Sequence, residues 1–255
     1  MQQLRRLSRR RAARSEEGRF VVDGPVLLGE ALDAELEVLD VFATETAPSA
    51  LLERARAAGA HLHRVAPDVL ARATDAVTPN GVVAVARRVE VPVADAVAAA
   101  VQGPLALVLD AVADPGNAGT LLRAAEAAGA AAVVFCRGSV DPSSPKCVRA
   151  AAGALFRLPV AVGGETTEVL EQLRGEGVAT AATVVRDGQP YHEADLRGPV
   201  ALVLGSEAHG LPREVLDVVD LRLTIPMAGP TESLNVAMAG TVVCFESLRQ
   251  RSAGR

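Results

Sequence analysis

The sequence predicts an α/β protein in two parts: a small mixed unit, then a larger unit built on a parallel sheet flanked by helices. Three observations predict this. From about Phe20, short strand-like runs alternate with helical stretches to the end of the chain. In the second half the runs are almost purely Val, Leu and Ala, which suits strands covered on both faces. Pro92 and Gly103-Pro104 punctuate the segment 91–103, which reads as a linker between 20–90 and 104–255.

In the first part, "RFVVDG" reads as a strand, and "PVLLGEALDAE" as a helix with Pro25 in its first turn. "LEVLDVFAT" is a strand and "ALLERARAAG" a helix that Gly59 ends. "HLHRV", "PDVLARATD" and "GVVAVARRVE" follow as strand, helix and strand. In the second part "LALVLDAV", "AAVVFCRG", "LPVAVG", "VATAATVV", "VALVLGSE" and "LRLTIPM" are the expected strands. Between them "NAGTLLRAAEAAG", "SPKCVRAAAGALF" and "TTEVLEQLRGEG" are the expected helices. The last helix is expected from about Ser233 to Arg251. Its stripe Leu234, Met238, Thr241, Phe245, Leu248 has helical spacing, yet Val236, Ala237, Ala239, Val242 and Val243 cover other faces. A helix apolar on most sides belongs inside a domain or at an interface.

Composition narrows the class. The 255 residues are 49% hydrophobic and 22% charged, with a net charge of −5, as in a globular protein. No apolar run reaches the ~18 residues of a membrane span. The basic N-terminus lacks the apolar core of a secretory signal. Cys136, Cys147 and Cys244 have no C-x-x-C spacing, which suits a reducing cytoplasm and indicates neither a disulfide framework nor a zinc site. His61, His63, His192 and His209 form no metal constellation, so no metal is expected. Residues 1–19 carry seven Arg against Glu16 and Glu17 on an otherwise acidic chain. Such an arm, with Arg5, Arg6, Arg9, Arg10 and Arg11, is either a phosphate-backbone contact or a solvated, partly disordered tail.

Three polar islands follow apolar strands, where parallel α/β sheets gather ligands. The first, "DPGNAGTLLRAAEAAG", offers Asn117 as an N-cap and Arg123 on a Leu/Ala helix; Arg123 has the alternative of an i,i+3 pair with Glu126. The second, "LGSEAHGLP", has Gly205 and Gly210 for close backbone approach. It lacks the Gly-Lys-Ser/Thr of a phosphate loop and the spacing of a nucleophile elbow, and no island has G-x-G-x-x-G. The third, "IPMAGPTESLNVAMAG", sets Thr231, Glu232, Ser233 and Asn235 at the entrance of the last helix. One N-cap, Thr231 or Ser233, would suffice there.

Taken in order, "NAGTLLR", "LVLGSEAHGL" and "IPM…ESLNVAMA" resemble the three motifs of the SpoU (TrmH-type) RNA 2′-O-ribose methyltransferases, of the SPOUT class. "SPKCVRAAAGALFRLPV" is similar to the segment between the first two motifs, with Ala151 where many members have Ser. The resemblance covers 104–255 closely, and 20–90 more loosely as a ribosomal-protein-like substrate-binding domain. It implies a deep trefoil knot, against the general rule that chains do not thread loops. It implies S-adenosylmethionine held at Gly205, Ile225 and Leu234, with Leu204, Met227 and Thr183 beside them, and a homodimer paired through the knotted domain. The partner would be structured RNA, ribosomal RNA in preference to tRNA.

The resemblance also implies that Arg123 acts on the reaction. A guanidinium, with its pKa above ~12, is a poor base and a good fixed cation. Asn117, Glu207, Ser233 and Asn235 would orient it and the ribose; Glu207 has the alternative of a helix-start carboxylate. The scarcity of aromatics, 2% of residues, favours shape and phosphate contacts over base stacking. The competing expectations are a non-catalytic RNA-binding protein of the same fold and a dinucleotide-dependent oxidoreductase. The missing dinucleotide fingerprint weighs against the latter.

Overall fold

The computed structural model describes residues 1–74 and 81–253. The chain divides into two compact units, Met1–Val89 with Asp141–Arg157, and Glu90–Val140 with Leu158–Arg255. It therefore passes between the units three times. The segment 141–157, expected within the large domain, is counted with the small one.

The first unit begins with two helices, α1 (Gln2–Arg9) and α2 (Arg11–Glu17). The tail reading of the arm does not hold. Leu4, Leu7 and Ala13 are buried in a cluster with Val21, Leu70, Val83 and Val85, and the ends of a helical pair that buries leucine are not free in solvent. The elements β1 (Arg19–Asp23), α3 (Pro25–Asp33), β2 (Val38–Ala43), α4 (Ser49–Ala57), β3 (His61–Arg64), α5 (Pro67–Ala71) and β4 (Val82–Arg87) follow. Their sheet has the order β1-β4-β2-β3. β4 is antiparallel to both neighbours, and β2 and β3 are parallel. Asp75, placed at a helix end by the sequence pattern, lies outside the described residues. His63 has a carboxylate partner that the sequence did not reveal: its ring lies 2.8 Å from Asp40 Oδ1 and stacks on Phe42.

A buried ion pair ties the first unit together. Arg14 Nε donates to Asp141 Oδ2 at 2.7 Å, with the two side chains only 5% and 3% exposed. Arg14 also donates to the Leu7 carbonyl at 2.8 Å. Arg14 thus anchors α2 to α1 and to the segment 141–157. Asp141→Ala would strand a buried guanidinium, a loss of about 3–5 kcal/mol. Urea unfolding should show a clearly lower midpoint.

The second unit holds α6 (Val93–Gln102), β5 (Leu105–Leu109), α7 (Pro115–Ala127) and β6 (Ala132–Phe135). After the excursion through α8 (Pro145–Ala151) and a 3-10 turn (Ala154–Phe156) in the first unit come β7 (Val160–Val162), α9 (Thr166–Gly175), β8 (Ala179–Thr183) and β9 (Gln189–Pro190). β10 (Val200–Leu204), α10 (Arg213–Leu216), β11 (Leu221–Thr224) and α11 (Val236–Ala253) complete it. The segment expected as a linker is mostly α6, whose Ala96, Val97 and Ala100 are buried.

The seven strands form one parallel sheet in the order β7-β6-β5-β10-β8-β11-β9. β5, β6 and β10 are buried along their whole length, as their unbroken apolar sequences require. α11 lies close against α7 and β10: a Cβ on Gly240 would meet Leu121 Cδ2 at 2.4 Å and Leu204 Cδ1 at 2.9 Å. Among the described residues, no helix is long and apolar enough to cross a membrane.

Candidate active site

The three polar islands converge at the carboxyl ends of β5, β10 and β11. The first begins with a local device. Asp114 caps α7, its Oδ1 accepting from the backbone N–H of Gly116 and Asn117 at 2.7 and 2.9 Å, with Pro115 in the first turn. Asn117 is therefore not the cap, as expected from sequence, but a residue of the first turn whose amide stays available. The Asp-Pro pair was the readable signal for the true cap.

That amide is the hub of the site. Asn117 Nδ2 donates to Glu207 Oε1 at 2.9 Å, and its Oδ1 accepts from Asn235 Nδ2 at 3.0 Å. Asn235 Oδ1 accepts from the N–H groups of Ala237 and Met238 at 2.9 and 3.4 Å. Asn235 is thus the N-cap of α11, where Thr231 or Ser233 was expected, and the helix starts at Val236. Of the polar residues at the helix entrance, Asn235 is thereby explained: one side of its amide caps the helix and the other is bonded to the first island.

Glu207 also accepts from the N–H groups of Ala113 and Asp114, both at 3.1 Å. It is a helix-start carboxylate, but of α7, and it fixes the Asn117 amide as well. Burial opposes its ionisation, yet the bonds from Asn117 and the backbone outweigh this and hold its pKa below the usual carboxylate value.

Beside this network lies a cleft of about 590 Å³, a size that accommodates a nucleoside-sized ligand. Of the expected ligand residues, Thr183, Gly205, Ile225, Met227 and Leu234 line it, as do Glu207, Ser233 and Asn235. Leu204 does not; it is fully buried at the end of β10, with its side chain against Gly240 of α11. Val184, Val185 and Leu223 also line the wall; their place after β8 and on β11 was the only sequence signal for them. Gly205 is required by shape: a Cβ there would fall 2.5 Å from the Gly210 carbonyl carbon. Only glycine lets the second island fold back into its Ser206–Gly210 bridge.

Arg123 does not line the cleft. It projects from the third turn of α7 and is exposed. Among the described residues its side chain enters no hydrogen bond or ion pair, so the pair with Glu126 does not form. Arg5, Arg6, Arg9, Arg10 and Arg11 are all exposed in the first unit, Arg6 paired with Glu17. Burial pushes the Cys136 thiol up to about 11 and the Cys244 thiol up to about 12, so neither offers a thiolate near neutral pH. Among the described residues, no group of His, Cys, Asp and Glu could hold a metal ion.

Residues 104–245 match the model of the SpoU rRNA Methylase family, and residues 1–84 that of the MRM3-like substrate binding domain. The chain is 33% identical to the 23S rRNA (guanosine(2553)-2′-O)-methyltransferase RlmP of Bacillus subtilis, over 91% of this chain and 89% of that protein. Among solved structures it is similar to the SpoU methyltransferase AviRb from Streptomyces viridochromogenes in complex with the cofactor AdoMet. The TM-score is 0.89 at 29% identity, covering 100% of this chain and 98% of that one. It is also similar to the AdoMet bound rRNA methyltransferase from Sinorhizobium meliloti, with TM-score 0.85 and 30% identity over 97% and 93% of the two chains.

Proposed function

Because the chain belongs to the SpoU rRNA methylase family, we propose that it transfers a methyl group from S-adenosylmethionine to a ribose 2′-hydroxyl of ribosomal RNA. The observation that carries this reading is the bonded chain Glu207–Asn117–Asn235, which joins all three islands at the lip of the cleft.

The cleft fits the cofactor. Val184, Leu223, Ile225 and Leu234 provide apolar wall for a nucleobase, and Gly205 opens the backbone of its loop to a close ligand. Thr183 and Met227 complete the lining; Leu204, buried against Gly240, is not part of it. When bound, S-adenosylmethionine would supply a methyl group on a sulfonium; its transfer to the ribose oxygen would leave S-adenosylhomocysteine and give up the hydroxyl proton to solvent.

The protein's own part is positioning and charge. Holding the two reactants in line is worth about 7–11 kcal/mol of effective molarity. Arg123 serves as a fixed cation for the developing alkoxide or the adjacent phosphate. Asn117 and Glu207 fix the first turn of α7, the helix that carries Arg123 two turns further on. Asn235 sets the start of α11, and Ser233 faces the incoming ribose. Binding of S-adenosylmethionine by isothermal titration, followed by methyl transfer to an unmodified 23S rRNA transcript, tests the reading. Absence of cofactor binding would contradict it.

The placement of β10 between β5 and β8, with α11 packed under it, supports a trefoil knot in the second unit. The arginines of α1 and α2 serve the RNA backbone. The working form is a homodimer in the cytoplasm, where the free cysteines remain thiols. Leu234, Met238 and Phe245 support the dimer: this stripe is 39%, 59% and 43% exposed, while Ala237, Gly240, Val243 and Cys244 face the core. Sedimentation at micromolar concentration should give a dimer, and Met238→Glu with Phe245→Glu should dissociate it. A wild-type monomer would count against the pairing.

A further inference from the structure

Of the polar residues at the entrance of α11, Glu232 has no part in the bonded chain of Glu207, Asn117 and Asn235, yet it lines the cleft. The other carboxylate of the lining, Glu207, already accepts from Asn117, Ala113 and Asp114. Among the described residues no Lys or Arg belongs to the lining. A guanidinium stands at its edge instead. Arg186 Nη2 lies 3.8 Å from Glu232 Oε1, and Val184 and Val185, just before Arg186, are part of the cleft wall.

Each of these charges is carried by a fixed stretch of backbone. Val184 N–H donates to the Leu223 carbonyl at 2.9 Å, and Gly188 N–H to Thr224 Oγ1 at 3.0 Å. A Cβ on Gly188 would fall 2.6 Å from Thr224 Oγ1, so only glycine lets the loop sit so close to β11. The end of β11 thus holds both ends of the loop that carries Arg186. Glu232 is held from the other side, three residues before the bond of Asn235 to Asn117. The pair itself is loose. It is longer than the about 2.7–2.9 Å of a charge-assisted hydrogen bond, and its side chains are 76% and 82% exposed. An ion pair so open to water adds little to stability. Among the described residues neither side chain has another hydrogen bond or ion pair, which leaves guanidinium donors and carboxylate lone pairs unused.

We propose that Arg186 and Glu232 form a clamp for the amino-acid end of S-adenosylmethionine, Arg186 taking its α-carboxylate and Glu232 its α-ammonium. This rests on the methyltransferase reading and adds the groups that tell the whole cofactor from adenosine derivatives lacking that end. The chemistry is complementary. An amino acid carries one anion and one cation on the same carbon, and the cleft edge offers one cation and one anion beside each other, in a pair weak enough to exchange partners. The rest of the lining cannot supply the anion's partner, because it holds no Lys or Arg and its second carboxylate is already bonded.

The test is isothermal titration of the full chain with S-adenosylmethionine, with its decarboxylated form, and with 5′-methylthioadenosine, which has neither the carboxylate nor the ammonium. Arg186→Gln should weaken S-adenosylmethionine about fivefold or more, as for loss of a charged contact open to water. It should leave the decarboxylated form unchanged or tightened and 5′-methylthioadenosine unchanged. Glu232→Gln should weaken S-adenosylmethionine and its decarboxylated form alike and spare 5′-methylthioadenosine. Thermal melting should be that of the wild type in both variants, since both side chains are exposed. Equal loss for all three ligands would make the pair a brace of the cleft wall and overturn the proposal. So would unchanged affinity for S-adenosylmethionine in either variant. Failure of the wild-type chain to bind S-adenosylmethionine would instead overturn the methyltransferase reading, so the two failures are distinct.

Discussion

Arg123→Ala should lower methyl transfer about a hundredfold or more, the loss typical of a preorganised charge stabiliser, while S-adenosylmethionine affinity stays within a few-fold. The split follows from placement. Arg123 is outside the cleft lining, and removing it breaks no hydrogen bond or ion pair among the described residues. Fold and cofactor site should both survive its loss. Arg123→Lys should also be poorly active, because an ammonium on a flexible stem does not reproduce a planar, bidentate fork. Turnover with labelled cofactor, beside titration of cofactor binding, checks both variants. Near-full activity in Arg123→Lys, or loss of cofactor binding in Arg123→Ala, would contradict the assigned role.

Asn235→Ala should damage cofactor binding and turnover together. It removes the cap of α11, a loss of about 1 kcal/mol, and it leaves the Asn117 Oδ1 without its donor. The cleft wall at Ser233–Val236 would loosen as the helix start frays. Asn235→Asp separates the two contributions. Aspartate caps as well as asparagine, so thermal stability should be kept. It cannot donate to Asn117 and sets a carboxylate against a carbonyl oxygen, so turnover should still fall by about tenfold or more, as expected for about 1.4 kcal/mol. If Asn235→Asp is as active as the wild type, the bond to Asn117 has no part in the reaction.

The sheet of the second unit was legible because strands such as "LALVL" and "VALVL" carry a pattern with a single structural solution, burial on both faces. The site was legible in kind for a different reason: polar residues at the ends of such strands have few structural uses. What sequence could not supply was the pairing among them. Asn117 and Asn235 are both good caps by propensity, and only the fold decides that Asp114 takes α7 and Asn235 takes α11. Side-chain bonds between residues about a hundred positions apart leave no local pattern. The first two helices are not legible in the sequence because arginines dominate the composition there and hide Leu4, Leu7 and Ala13, whose burial needs β1, β4 and α5. The helix α6 was hidden by its prolines and glycine, which lie at its ends rather than inside it. The excursion 141–157 depends on Arg14 finding Asp141, a pairing across 127 positions.

The most direct test of the central claim is nucleoside analysis of 23S rRNA from a strain lacking this protein, after incubation with the purified chain and methyl-labelled S-adenosylmethionine. The account predicts label in a single 2′-O-methylated nucleoside, absent when Arg123→Ala replaces the wild type. Label on a base, or no transfer by a chain that binds the cofactor, would contradict it.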